Sequence, residues 1–298
     1  MFDIFLYLYN IKSMEKKKFK ISDVEIKTMY LDGYSLNDIA NVAQDTKGVM
    51  PLRRRLQDLG VDTSKNMKRY RKKISISSRI YQIDDSVFNC IDTQEKAYWL
   101  GFLMSDGYNN ENNNCVSLRL HYKDIDVLEK FKEFLKTDTP IHIYNRNISE
   151  NKIYCDLTVS SYILSSRLSD LGCVQGKTSI LEFPNIPKYL YSHFIRGYFD
   201  GDGCVSIIPR KDRKEGSKQY QLNFVGKESV LLKIQEIICD NTGVTKTKLR
   251  NRKNSFVKAI SWSGKNVCKK ILDFLYKDAN TYMHRKYNKY LQFGNSAE

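Results

Sequence analysis

Apolar residues in this chain recur at two spacings, and the places where the spacing changes predict the elements. Between residues 21 and 62 the spacing is helical. Ser22 and Glu25 form a capping box ahead of Ile26, Met29 and Tyr30, with Gly33 as a stop. A second helix starts at Ser35, with Asp38 three residues on and Leu36, Ile39 and Ala40 as its stripe. A third follows Gly48 and turns Val49, Leu52, Leu56 and Leu59 inward, with Pro51 delaying its start. Further along, Val116, Leu118, Leu120 and Tyr122 alternate with Ser117, Arg119 and His121, and Tyr220, Leu222 and Phe224 alternate with Gln219, Gln221 and Asn223. That period of two predicts strands with one covered face.

Two segments are apolar nearly all round, which predicts buried helices. They are Trp99-Leu100-Gly101-Phe102-Leu103-Met104-Ser105-Asp106-Gly107 and Ile195-Arg196-Gly197-Tyr198-Phe199-Asp200-Gly201-Asp202-Gly203. Their acidic ends, Asp106 and Asp202, stand 96 positions apart. The stripe Val127, Leu128, Phe131, Phe134, Leu135 returns 103 residues later as Val230, Leu231, Ile234, Ile237, Ile238. Ile163, Leu164, Leu168 and Leu171 return 104 later as Val267, Cys268, Leu272 and Leu275. The chain beyond residue 91 is therefore a duplication, with extra residues in the second half's first hairpin around Arg210 to Lys218. Each half reads helix, two strands, helix, two strands, helix. The expected fold is α+β: αββαββα halves at 91–190 and 191–298, after a small all-α domain at 21–65.

Charge gives the duplication a partner. A net charge of +15 and a pI near 9.3 point to a polyanion, with nucleic acid ahead of a membrane surface because no basic amphipathic helix stands out. The third N-terminal helix carries Arg53, Arg54 and Arg55, so residues 21–65 read as a helix-turn-helix-like module. A basic run, Lys68 to Lys73, marks 66–90 as a linker able to follow a phosphate backbone. Lys246, Lys248 and Arg250 would stand on one face of a strand at 246–250. With Arg119, His121, Arg210, Gln219 and Gln221 they are the expected DNA contacts of the sheets, beside Arg53 and Arg54 of the N-terminal helices. Seven scattered cysteines without a Cys-x-x-Cys pair indicate neither disulfides nor a zinc site, and suggest a reduced, cytoplasmic protein. Residues 1–20 open on a short apolar run without a basic flank, expected to be a poorly ordered tail rather than an export signal, with Met14 as a second possible start.

The paired nonapeptides resemble those of the LAGLIDADG homing endonucleases in their single-chain form, over residues 91–290. The resemblance implies that the two helices pack against each other through Gly101 and Gly197. It implies that Asp106 and Asp202 bind Mg²⁺ or Mn²⁺ at the scissile phosphates, and that two sheets form a saddle over duplex DNA. Cleavage across the minor groove would leave short 3′ overhangs, and the protein would act as a monomer. Independent physics agrees, because two carboxylates at the negative ends of helix dipoles repel each other and a hard divalent cation between them relieves that repulsion. The resemblance also suggests a lysine near each centre, Lys177 and Lys286, with Arg285 as the substitute for the latter. Met104 and Ser105 depart from the second motif, which has Asp200 and Gly201 at those places. Two other functions stay open: a catalytically silent transcription regulator, and a group I intron RNA maturase.

Overall fold

A computed structural model describes residues 20–31, 34–43, 48–63, 79–147, 152–176, 180–210, 217–252 and 257–294. The chain forms two compact units, residues 1–78 and 79–298. The expected tail and the basic run Lys68 to Lys73 lie outside the described residues. Among the described residues no helix is long and apolar enough to cross a membrane.

The first unit holds three helices, α1 (Asp23–Leu31), α2 (Leu36–Val42) and α3 (Met50–Asp58). The anticipated capping box forms, the Ser22 and Glu25 side chains exchanging hydrogen bonds with each other's amides, and Ser35 and Asp38 form a second one at the start of α2. Ile26, Ile39, Leu52 and Leu56 are fully buried and close a small core. Pro51 sits in the first turn of α3, where its missing amide has no intrahelical acceptor to lose, so it begins the helix rather than delaying it.

The second unit contains the duplication. Its first half runs α4 (Gln94–Ser105), β1 (Gly107–Asn110), β2 (Cys115–His121), α5 (Ile125–Phe134), β3 (His142–Asn147), β4 (Lys152–Ser160), α6 (Tyr162–Asp170). The second runs α7 (Tyr191–Asp202), β5 (Cys204–Pro209), β6 (Lys218–Gly226), α8 (Glu228–Thr242), β7 (Arg250–Asn251), β8 (Lys258–Ser263), α9 (Lys265–Tyr276), and then adds α10 (His284–Leu291). The sheets are antiparallel, in orders β1-β2-β4-β3 and β5-β6-β8-β7. Opposite Leu118 stands Leu157, and opposite Leu222 stands Trp262, so the apolar face of each sheet turns to the helices. Two expectations shift. The strand anticipated at 246–250 is a strand only from Arg250, because the Thr247 amide donates to Gln235 Oε1 instead of a ladder partner. The anticipated linker ends before residue 90, since Val87 and Phe88 are buried in the unit's core.

The motif helices α4 and α7 meet backbone to backbone. A Cβ on Gly101 would lie 2.1 Å from the Phe194 carbonyl oxygen, and one on Gly197 would lie 1.9 Å from that of Tyr98. No side chain can enter there without moving a helix. Gly197→Ala is expected to destabilise the second unit by about 3 kcal/mol or more, since neither partner backbone can yield. Equilibrium denaturation checks this, and a loss below about 1 kcal/mol would show that the helices separate readily.

Candidate active site

Asp106 follows the last turn of α4 as its C-cap, and Asp202 is the last residue of α7. The helix contact brings the two ends together. A Cβ on Gly201 would lie 1.9 Å from Ser105 Oγ and 3.5 Å from Asp106 Cγ, so the carboxylate of the first motif stands against the residue preceding Asp202. Ser105 fills the room that Gly201 leaves, which gives the departure of the first motif from the second a packing reason. Both carboxylates act on one phenol: burial pushes the Tyr198 hydroxyl up, and the charges of Asp202 and Asp106 push it further. Among the described residues no group of three or more His, Cys, Asp or Glu side chains converges. Two carboxylates fit a hard, oxygen-seeking cation that completes its shell with water and phosphate, and do not fit zinc.

Behind the second acid lies a polar network that sequence patterning passed over. Lys286 is 3% exposed, and its Nζ donates to the carbonyls of Phe199 at 2.6 Å, Asp200 at 2.7 Å, Gly201 at 3.2 Å and Gly203 at 2.7 Å. An ammonium has three protons, so none remains for a phosphate. The site expected of Lys286 is thereby altered: it caps the C-terminus of α7, where a cation suits the dipole, and it positions the segment bearing Asp202. Burial pulls its ammonium down to about 8, with Asp200 opposing. Asp200 is fully buried and accepts from the Tyr98 hydroxyl at 2.9 Å, the Tyr276 hydroxyl at 2.5 Å and the Met283 amide at 2.8 Å. Burial pushes its carboxyl up while Lys286 and these donors draw it down. Arg196, also fully buried, donates to the Thr281 and Leu275 carbonyls, and its Nη1 lies 2.8 Å from His193 Nδ1. Met104 takes the Asp200 position in the first motif, so that half has no matching carboxylate. The available signal was the spacing of His193, Arg196 and Asp200, three polar residues on one face of a buried helix.

Arg285 does not substitute for Lys286, because its guanidinium is held by both oxygens of Asp124. Lys177 lies outside the described residues. Of the expected DNA contacts, Arg119, Gln219, Lys246, Lys248 and Arg250 are exposed, and Gln221 and Arg210 are partly so. His121 accepts the Lys123 amide at 3.1 Å and so caps a local turn. In the N-terminal unit Arg54 is exposed and Arg53 half-buried, whereas Arg55 is bound to Asp23 of α1 and ties two helices together. The open face of the first sheet holds more aromatic surface than its pattern suggested. Tyr108, Tyr144 and Tyr154 share that face with Arg119, whose guanidinium stands 5.8 Å from the Tyr144 ring centre.

Residues 195–296 match the family described as LAGLIDADG endonuclease, and the first half of the second unit repeats the element order of that segment. Solved structures with a similar fold include the LAGLIDADG meganuclease I-AabMI bound to uncleaved DNA, at 15% identity over 66% of this chain and 88% of that one, TM-score 0.43. The I-LtrWI homing endonuclease bound to target DNA is similar at 15% identity over 71% and 91%, TM-score 0.43. I-SmaMI bound to uncleaved DNA with calcium ions is similar at 13% identity over 66% and 88%, TM-score 0.43. No curated protein matches the chain.

The Arg196 contact requires His193 Nδ1 to accept, hence a neutral ring. Burial, with the Arg196 charge beside it, pulls His193 from 6.5 down to about 4. The unfolded chain therefore takes up this proton below pH 6.5 and the folded chain only near pH 4, so stability held above 6.5 is lost as pH falls between those values. His193→Gln is expected to remove about 2 kcal/mol of that loss, read from urea denaturation at the two ends of the window.

Proposed function

We propose that the protein is a site-specific, double-strand DNA endonuclease that hydrolyses phosphodiesters with a divalent cation, Mg²⁺ or Mn²⁺. The observation that carries this reading is that Asp106 and Asp202 stand at the C-terminal ends of two helices in backbone contact. A cation bound there would supply charge neutralisation at the scissile phosphate and an activated water. Asp106 and Asp202 would hold it, one from each half, which suits attack on two strands. Lys286 fixes the carbonyl end of α7 and hence the direction in which Asp202 projects. Exposed Arg119, Lys246, Lys248 and Arg250 would bear on phosphates, and Gln219 and Gln221 on base edges. The N-terminal unit, presenting Arg54, would add affinity on the same duplex through a raised effective concentration. The cut would fall across the minor groove and leave 3′ overhangs, with one chain serving both strands.

One observation favours a second reading, an intron RNA maturase. Three tyrosines and an arginine on the open face of a sheet can stack on unpaired bases. If structured intron RNA displaces duplex DNA and Tyr108→Ala with Tyr154→Ala weakens only the RNA complex, that reading prevails.

Plasmid carrying the flanking locus is expected to be linearised with Mg²⁺ and left intact with EDTA. Asp106→Asn and Asp202→Asn should each lower linearisation by about 100-fold or more while leaving DNA affinity near wild type. Unchanged cutting by both variants would remove the catalytic assignment.

A further inference from the structure

The two halves hold each other by a matched pair of ionic contacts whose signs are reversed. Asp124 precedes α5 at its N-cap position yet makes no capping bond to its own helix. Its carboxylate instead accepts Arg285 Nε at 3.1 Å and Nη2 at 3.2 Å, from the second half's exit segment. Lys227 precedes α8 at the same place in the repeat and likewise makes no capping bond. Its ammonium is bound by Glu182, in the exit segment of the first half. Asp124 and Lys227 are 103 residues apart, as are Glu182 and Arg285, the same offset that relates the core stripes of α5 and α8.

We propose that these reciprocal contacts form a sign code that selects the pairing of unlike halves and fixes their mutual placement, so that Asp124, Arg285, Glu182 and Lys227 act as positioning residues for the two acids. In any pairing of like halves the first would set Glu182 against Asp124 and the second Arg285 against Lys227. Both are like-charge contacts, and such repulsion discriminates more effectively than attraction alone. The arrangement gives selection of geometry rather than bulk stability, because the Glu182 side chain is 64% exposed and the Arg285 side chain 52%. The Asp124–Arg285 contact is continuous with the acidic centre. Arg285 is followed by Lys286, which grips the end of α7, and Met283, two residues before it, donates its amide to Asp200. The same segment is tied again to the first half, where Lys130 Nζ donates to the Tyr282 carbonyl at 3.1 Å.

The inference rests on the nuclease reading only for its kinetic readout. Full-length Arg285→Glu and Lys227→Glu are compared with wild type on supercoiled plasmid, scoring nicked against linear product, and by amide exchange at residues 103–107 and 199–203. Each variant is expected to raise the nicked-to-linear ratio about threefold or more and to speed exchange at those helix ends. Restoring opposite charges with Glu182→Lys in Lys227→Glu should bring both readouts back. Unchanged ratio and exchange, or a charge swap that restores neither, overturns the proposal. So does a lower melting temperature with both readouts unmoved. Should wild type cut neither strand, the nuclease reading fails, and the exchange arm alone decides the sign code.

Discussion

The backbone contact between α4 and α7 is the constraint on which the second unit depends. Two helices can approach this closely only where each presents glycine to the other's carbonyl, and the motifs place Gly101 and Gly197 opposite Phe194 and Tyr98. The same contact sets the C-terminal ends of the two helices, which carry Asp106 and Asp202, against each other. A side chain at either glycine would separate the acids as surely as it would loosen the core, so packing and chemistry are a single requirement here. The sheets follow from it, since each half hangs its strands directly from the end of its motif helix, at Gly107 and Cys204.

That closeness has an electrostatic consequence. Carboxylates at the C-termini of two helices sit in the negative lobes of both dipoles, which opposes their ionisation. The second helix is relieved from behind by Lys286, whose charge is spread over four carbonyls, and Asp200, Arg196 and two tyrosines keep that ammonium and its neighbours paired in a dry interior. The first helix has no equivalent among the described residues. Its last turn is closed by Ser105 Oγ, bonded back to the Gly101 and Phe102 carbonyls, and by the Cys173 thiol on the Leu103 carbonyl.

Sequence patterning carried the architecture far because duplication doubles every signal. One amphipathic stripe is ambiguous, but two at a constant offset of 103 residues define a repeat, and the elements of both halves fall in the anticipated order. It carried the site less far for a physical reason. Periodicity reports which face of an element is covered, not what a long polar side chain reaches once covered. Lys286 and Arg285 are neighbours of similar composition, yet one is drawn under a helix end and the other across to Asp124. Arg196 was legible as part of a motif and not as a buried cation, because its partners, the Thr281 and Leu275 carbonyls, are backbone atoms that no side-chain pattern marks. The strand at 246–250 failed similarly, since alternating exposure of Lys246, Lys248 and Arg250 persists without a ladder.

A single chain containing two related halves gains something that a symmetric dimer cannot have, namely independent variation of each half. Here the variation is systematic at three levels. The motif ends differ as Met104-Ser105 against Asp200-Gly201, and the missing side chain at Gly201 is complemented by Ser105 rather than by empty space. The open sheet faces differ, with Tyr108, Tyr144 and Tyr154 beside Arg119 on one and Gln219 and Gln221 with Arg250 on the other. The contacts between halves differ in sign, Asp124 with Arg285 and Lys227 with Glu182. The first and third asymmetries work only if the other half supplies the complement, which ties the drift of one half to the drift of the other. The glycine contact is exempt from that drift, because no substitution on one helix can make room for a side chain against the other's backbone.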